Sequence, residues 1–129
     1  PDTVTVAADP VALQQIVHNL AGNALNALEE TTAPHLVLSV TADTTARQGR
    51  LTVRDNGPGV PAHVRERLFE PFVSGRPGGL GLGLSLCETL ATTMGGRLRH
   101  EAGAPGAAFI LELPLADTQS ATSQDGSTA

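Results

Sequence analysis

The chain has 129 residues, 40% of them hydrophobic and 16% charged, with a formal net charge of −5. That is enough for one domain with a single core, and too acidic, with its arginines scattered, to suit a nucleic-acid or anionic-membrane surface. No run approaches the ~18 consecutive apolar residues of a membrane span, and three phenylalanines, Phe69, Phe72 and Phe109, are the only aromatic residues, too few for a platform that stacks single-stranded bases.

The sequence opens on "PDTVTV", which carries no basic and apolar leader pattern, so no secretory signal is expected in it. Residues 3 to 8, "TVTVAA", alternate apolar and polar and predict a short strand. Asp9 then stands where a helix N-cap belongs, with Pro10 at the first helical position. Leu13, Ile16, Val17, Leu20, Ala24 and Leu28 recur at helical spacing, which predicts a long amphipathic helix over 10–29. "HLVLSVTA" (35 to 42) reads as a strand, "DTTARQG" as a turn, and "RLTVRD" (50 to 55) as a second strand that stops at the loop cluster "NGPGVP".

Residues 62–69 predict a short helix, and "EPFVSGRPGG" is a Pro/Gly-rich connector without periodicity, a candidate lid. "LSLCETLATTM" (84 to 94) has helical spacing and ends at the C-cap signal Gly95-Gly96. Within it Cys87, the single cysteine, cannot form an intramolecular disulfide and reads as a small buried hydrophobe in a reducing compartment. Two strands, 97–102 and 107–114, follow around the turn "GAPG". Beyond Leu115 the composition turns small and polar, which predicts a domain over 1–116 and a disordered tail over 117–129. The order of elements implies an α/β two-layer sandwich: a mixed, largely antiparallel sheet of about five strands with about three helices packed on one face.

Three features carry chemistry. Asn19, Asn23 and Asn26 are spaced by four and then three, so at ~100° per residue they share a stripe roughly 60° wide beside the apolar one. Singly each reads equally well as a solvated residue; together they favour the polar wall of a site, whose amide oxygens suit Mg²⁺. Asp55 ends a strand and opens "DNGPGV", where a carboxylate can accept from the amino group of a planar ligand, although "DNG" is also ordinary turn chemistry. "GGLGLGLSL" (78 to 86) lacks the lysine and spacing of a P-loop, the chain having no lysine at all. It also lacks the strand and wider final gap of a dinucleotide fingerprint. What remains is a glycine-rich helix start whose N–H groups and dipole can hold phosphates, or a loop whose leucines plug the core.

Together, over roughly residues 3 to 115, these pieces resemble the catalytic and ATP-binding domain of bacterial sensor histidine kinases, within the superfamily (Bergerat fold) that includes the ATPase modules of type II topoisomerases. "HNLAGNALNA" is similar to the asparagine box, "DNGPGV" to the first glycine box, "LFEPF" to the phenylalanine box and "GLGLGLSL" to the second glycine box. By that resemblance Asn23 would hold Mg²⁺ against the ATP phosphates, with Asn19 shaping the same site and Asn26 standing where many members carry a lysine. Asp55 would accept from the adenine amino group, with Gly57 and Gly59 letting the base approach. Phe69 and Phe72 would anchor the lid, and Arg76 would replace a lysine that many members carry beyond the phenylalanine box. Gly79, Gly81 and Gly83 would bring amides to the phosphates, and the helix from Leu84 would add its dipole.

The resemblance implies ATP and Mg²⁺ as cofactors and transfer of the γ-phosphoryl group to a histidine on a separate dimerisation domain. His18, His35, His63 and His100 read as ordinary structural histidines and not as that acceptor. A response regulator would be an indirect partner, with no nucleic-acid or membrane contact by this domain. The place would be the cytoplasm, including the cytoplasmic portion of a membrane-anchored sensor. The alternatives are an ATPase or protein serine kinase of the same superfamily, or a non-catalytic nucleotide-binding module.

Overall fold

The computed structural model describes residues 4–70, 83–103 and 105–116. Phe72, Arg76, Gly79 and Gly81, with most of the connector and the whole tail, lie outside the described residues.

Helix α1 (Pro10–Ala27) begins as its sequence dictates. Asp9 is extended, its carboxylate accepts from the Val11 N–H at 3.1 Å, and Pro10 supplies a first helical residue with no N–H to satisfy. Ile16, Leu20 and Ala24, one turn apart, are buried. The helix stops two residues before the expected end because the N–H groups of Glu29 and Thr31 turn to carbonyls three residues back, Asn26 and Leu28.

The sheet is built from β1 (Leu36–Asp43), β2 (Gln48–Asp55), β3 (Arg97–Ala102) and β4 (Ala107–Pro114), in the order β1-β2-β4-β3. All three pairings are antiparallel, so among the described residues the sheet has four strands and is not mixed. The strand expected over 3–8 is reduced to one antiparallel bridge, Val6 to Leu115, flanked by Ala7 N–H to Pro114 O and Ala116 N–H to Thr5 O, each 2.9 Å. The ladder goes no further because Pro114 has no N–H to donate and the chain enters its helix cap at Asp9.

Helix α2 (Ala62–Arg65) is shorter than the expected 62–69. Its N-cap, Pro61, offers no side-chain acceptor, and the chain continues in tighter i→i+3 turns, Arg67 to Val64 and Glu70 to Arg67, that still bury Leu68. Helix α3 (Gly83–Thr93) packs against α1 and over β3. Strand alternation sends Val53, Phe109, Leu111, Leu113 and Leu98 to the helix side, where they meet Ile16, Leu20, Cys87 and Ala91 in one core.

Among the described residues the opposite face carries no helix, yet Ile110 and Glu112 on it are buried. Glu112 accepts from three arginines, Arg97 at 2.8 Å, Arg50 at 3.0 Å and Arg99 at 3.2 Å, whose stems lie across the strands. Burial alone would push the Glu112 carboxyl up, but hydrogen bonds from Arg97, Arg99 and Arg50 outweigh it and hold the group below the ordinary glutamate value.

Candidate functional site

Asp55 is the last residue of β2 and points to the helix side with only 5% of its surface exposed. A buried carboxylate needs partners, and among the described residues it has one: the Gly57 N–H donates to Oδ1 at 2.9 Å. The corner around it is assembled by backbone contact. Gly106, at φ +94, lies so close that an added Cβ would collide with the Asp55 carbonyl, and Gly59, at φ +80, would place a Cβ 3.1 Å from the Gly106 carbonyl. A Cβ at Gly57 would stand 2.8 Å from the Ala27 carbonyl at the end of α1. The missing side chain of Gly57 therefore lets α1 and the Asp55 turn pack together.

Asn56 fixes the same corner from outside. Its Oδ1 accepts from the His35 N–H at 2.7 Å, its Nδ2 donates to the Ala33 carbonyl at 3.1 Å, and its own N–H donates to His35 O at 3.3 Å. These bonds tie the entry to β1 to the exit of β2.

The asparagines of α1 lie between their expected extremes. Asn19, Asn23 and Asn26 are all half-buried. Asn19 donates from Nδ2 toward the Cys87 sulfur at 3.6 Å, joining α1 to α3 and leaving its carbonyl oxygen available. The Asn23 side chain has no hydrogen-bond partner among the described residues, which leaves its amide for a ligand. Cys87 is fully buried, and burial raises its thiol above the ordinary value despite the lowering bond from Asn19, so it is a packing residue.

Helix α3 starts at Gly83, where an added Cβ would meet nothing within 4 Å. The first N–H groups of α3 lie at the positive end of the helix. Leu84 packs on the core, so any part it takes at a ligand is by its backbone. An open groove of about 740 Å³ runs here, walled by Gln15 and Asn19 of α1, by Phe69, and by Ser85, Leu86, Glu88 and Thr89 of α3 beside Gly83. Phe69 also meets Phe109 edge-on, with centroids 6.4 Å apart. Asn19, Phe69 and Gly83 therefore share one groove, whereas Asn23, Asn26, Asp55, Gly57 and Gly59 are not among its walls.

A family model described as histidine kinase-, DNA gyrase B-, and HSP90-like ATPase matches residues 8–117. The chain belongs to this family. Among curated relatives, this ATPase domain is 36% identical over 116 residues to the C4-dicarboxylate transport sensor protein DctB of Rhizobium meliloti (strain 1021), covering 90% of this chain and 18% of that one. It is 34% identical over 122 residues to the sensory histidine kinase/phosphatase NtrB of Escherichia coli O157:H7, covering 89% of this chain and 35% of the relative. The chain thus spans about a fifth to a third of those sensor proteins.

Among solved structures it superposes on full-length ShkA in complex with AMPPNP with a TM-score of 0.74 at 37% identity, covering 88% of this chain and 24% of that one. On the nucleotide-free catalytic domain of histidine kinase ThkA it gives 0.72 at 30% identity, with 83% and 69% covered.

Within this histidine-kinase-type domain, Asn56 and Gly106 read in the sequence only as turn residues. The close approach at Gly106 has one visible signal, a glycine immediately before a strand; the partners of Asn56, Ala33 and His35, are more than twenty residues away, and no local pattern announces them.

Proposed function

We propose that this domain binds Mg-ATP and delivers the γ-phosphoryl group to a histidine on a separate dimerisation and phosphoacceptor domain of a cytoplasmic or membrane-anchored sensor, with a response regulator downstream. One observation carries the reading most: a 5%-exposed carboxylate, Asp55, held by glycine backbone contacts at the same end of the sandwich as the free amide of Asn23. An acceptor fixed in low-dielectric surroundings with a single internal donor suits the amino group of a base.

The donor set fits a magnesium-bound nucleotide. Mg²⁺ would be held by the Asn23 amide oxygen together with phosphate oxygens and waters, a ligand set that Mg²⁺ favours. Bound, the magnesium nucleotide supplies the electrophilic phosphoryl group and neutralises its charge. The chain's own residues would bind and orient: Asp55 would hold the base, Asn19 and Asn23 the phosphate side through the metal, and, by the family resemblance, the glycines of the second glycine box (Gly79, Gly81, Gly83) with the start of α3 would receive the anionic end. Arg76 adds a cation that a guanidinium can aim at a terminal phosphate. By the family resemblance, Phe69 and Phe72 would anchor the lid.

One curated relative is a sensory histidine kinase/phosphatase and another a transport sensor protein, which favours histidine over serine as the acceptor and a kinase over a non-catalytic module. Labelled ATP tests the assignment. The chain alone is expected to bind Mg-ATP calorimetrically and to label itself negligibly. With a histidine-bearing dimerisation domain added, label should appear on that domain in an acid-labile, alkali-stable form. Label on a serine-bearing protein instead would move the assignment to a serine kinase, and a folded sample without Mg-ATP binding would end it.

A further inference from the structure

The two edges of the sheet are finished differently. Strand β3 carries Arg97, Arg99 and Glu101 along one edge, and such charges are how natural sheets deter foreign strands. Strand β1, the other edge, runs for eight residues with no proline and no charged side chain from Leu36 to Ala42. Leu38 and Val40 on it are 49% and 59% exposed. Helix α1 packs over β2, and α3 over β3 and β4, which leaves β1 beyond their cover.

Two backbone bonds fix which groups of β1 face outward. The Asn56 N–H donates to His35 O, and on the next ladder the Leu115 N–H donates to Arg47 O. Bonded pairs alternate along an antiparallel ladder, so Val37, Ser39, Thr41 and Asp43 bond across to β2, while Leu36, Leu38, Val40 and Ala42 direct their N–H and C=O groups away from the sheet. Among the described residues nothing pairs with that side of β1. The side chains of the same four residues lie on the helix side, Leu38 in register with Val53 and Val40 with Leu51.

We propose that β1 pairs antiparallel with β1 of a second copy of this chain, about a two-fold axis through Ser39. In that register Leu36 meets Ala42 and Leu38 meets Val40, each pair exchanging the backbone hydrogen bonds that β1 already directs outward. Leu38 and Val40 of the two copies cover one another and prolong the apolar rows of Val53 and Leu51. On the other face Val37 lies opposite Thr41, and at both ends the His35 imidazole lies opposite the Asp43 carboxylate, so donor meets acceptor twice and no like charges oppose. A two-fold contact requires such self-complementarity. Sliding the strands by two residues, the smallest step that keeps the alternation, separates His35 from Asp43 and shortens the ladder. In a sensor dimer of the kind proposed above, tethering would hold two copies at about millimolar effective concentration, where a contact of one strand a side is populated.

Sedimentation velocity on the full chain without nucleotide tests the pairing independently of the nucleotide site. The wild type is expected to pass from monomer to dimer between about 10 µM and 1 mM, as so small a contact implies. Val40→Lys charges an exposed position on the free edge and should keep the wild-type unfolding temperature while staying monomeric over that range. Ser39→Cys would set two thiols on a non-hydrogen-bonded pair with Cα atoms ~4.5 Å apart, within reach of a disulfide, so copper-catalysed air oxidation should cross-link it. Thr41→Cys, also exposed, would leave its thiols at least about 13 Å apart along the strands and should not cross-link. Cys87 is buried and does not compete. A wild type still monomeric at the top of that range overturns the proposal, and so does a dimer that Val40→Lys leaves intact, or equal cross-linking at positions 39 and 41.

Discussion

The Asp55 carboxylate is oriented by neighbours that have no side chain: Gly57 donates its N–H, and Gly106 lies against the Asp55 carbonyl at φ +94. Gly106→Ala should therefore act through Asp55 as well as through strain. We expect a stability loss of about 2 kcal/mol or more from the positive φ and the backbone collision, readable in urea unfolding, together with weakened nucleotide affinity. A Gly106→Ala protein with wild-type stability would mean that the close approach is not real. Asp55 and Asn23 were legible in the sequence because their signals are local: a carboxylate before a glycine turn, and amides at helical spacing. Asn56 was not, since its partners Ala33 and His35 come from a loop more than twenty residues earlier that nothing in "DNG" foretells.

At the scale of elements, periodicity located the helices and four strands to within a few residues, because each buries a face whose spacing is set by its own geometry. The shortfalls have physical causes. The 3–8 segment alternates like a strand, but strand length depends on the partner, and its partner runs through Pro114. The short second helix lacks a capping side chain.

On the outer face of the sheet, Glu112 is 3% exposed beneath three arginines. Their register is what buries it: Glu112 pairs with Arg50 on one side and Arg97 on the other.

Because its folded-state carboxyl is held below the ordinary value, Glu112 contributes stability that is fully present above the unfolded-state pKa and is lost as pH falls through the folded one. Glu112→Gln should cost about 2 kcal/mol at pH 7, between the worth of an exposed ion pair and the breaking of a buried one. The gap between variant and wild type should narrow as the pH is lowered below the ordinary glutamate range. Urea titrations of both proteins at pH 7, 5 and 3 measure this, and a gap that stays constant would contradict the role given to the three arginines.

At the scale of the whole molecule, the chain has a net charge of −5 and no lysine, so long-range attraction would not draw in the nucleotide of the proposed function. The proposed site would rely on a local arrangement instead: a cation shared between Asn23 and the phosphates, the N–H groups at the start of α3, and a carboxylate for the neutral end of the ligand. The sandwich explains why these parts can be so far apart in sequence. Helix α1 brings the asparagines over β2, α3 packs beside α1, and the antiparallel sheet ends at Asp55.

The Asp55 carboxylate is central to the proposed site. Asp55→Asn keeps an acceptor for the Gly57 N–H and removes the charge that would receive the amino group, so the variant should unfold near the wild-type temperature while its Mg-ATP affinity, measured by calorimetry, falls at least about tenfold. A folded Asp55→Asn protein that binds Mg-ATP as tightly as wild type would contradict the account.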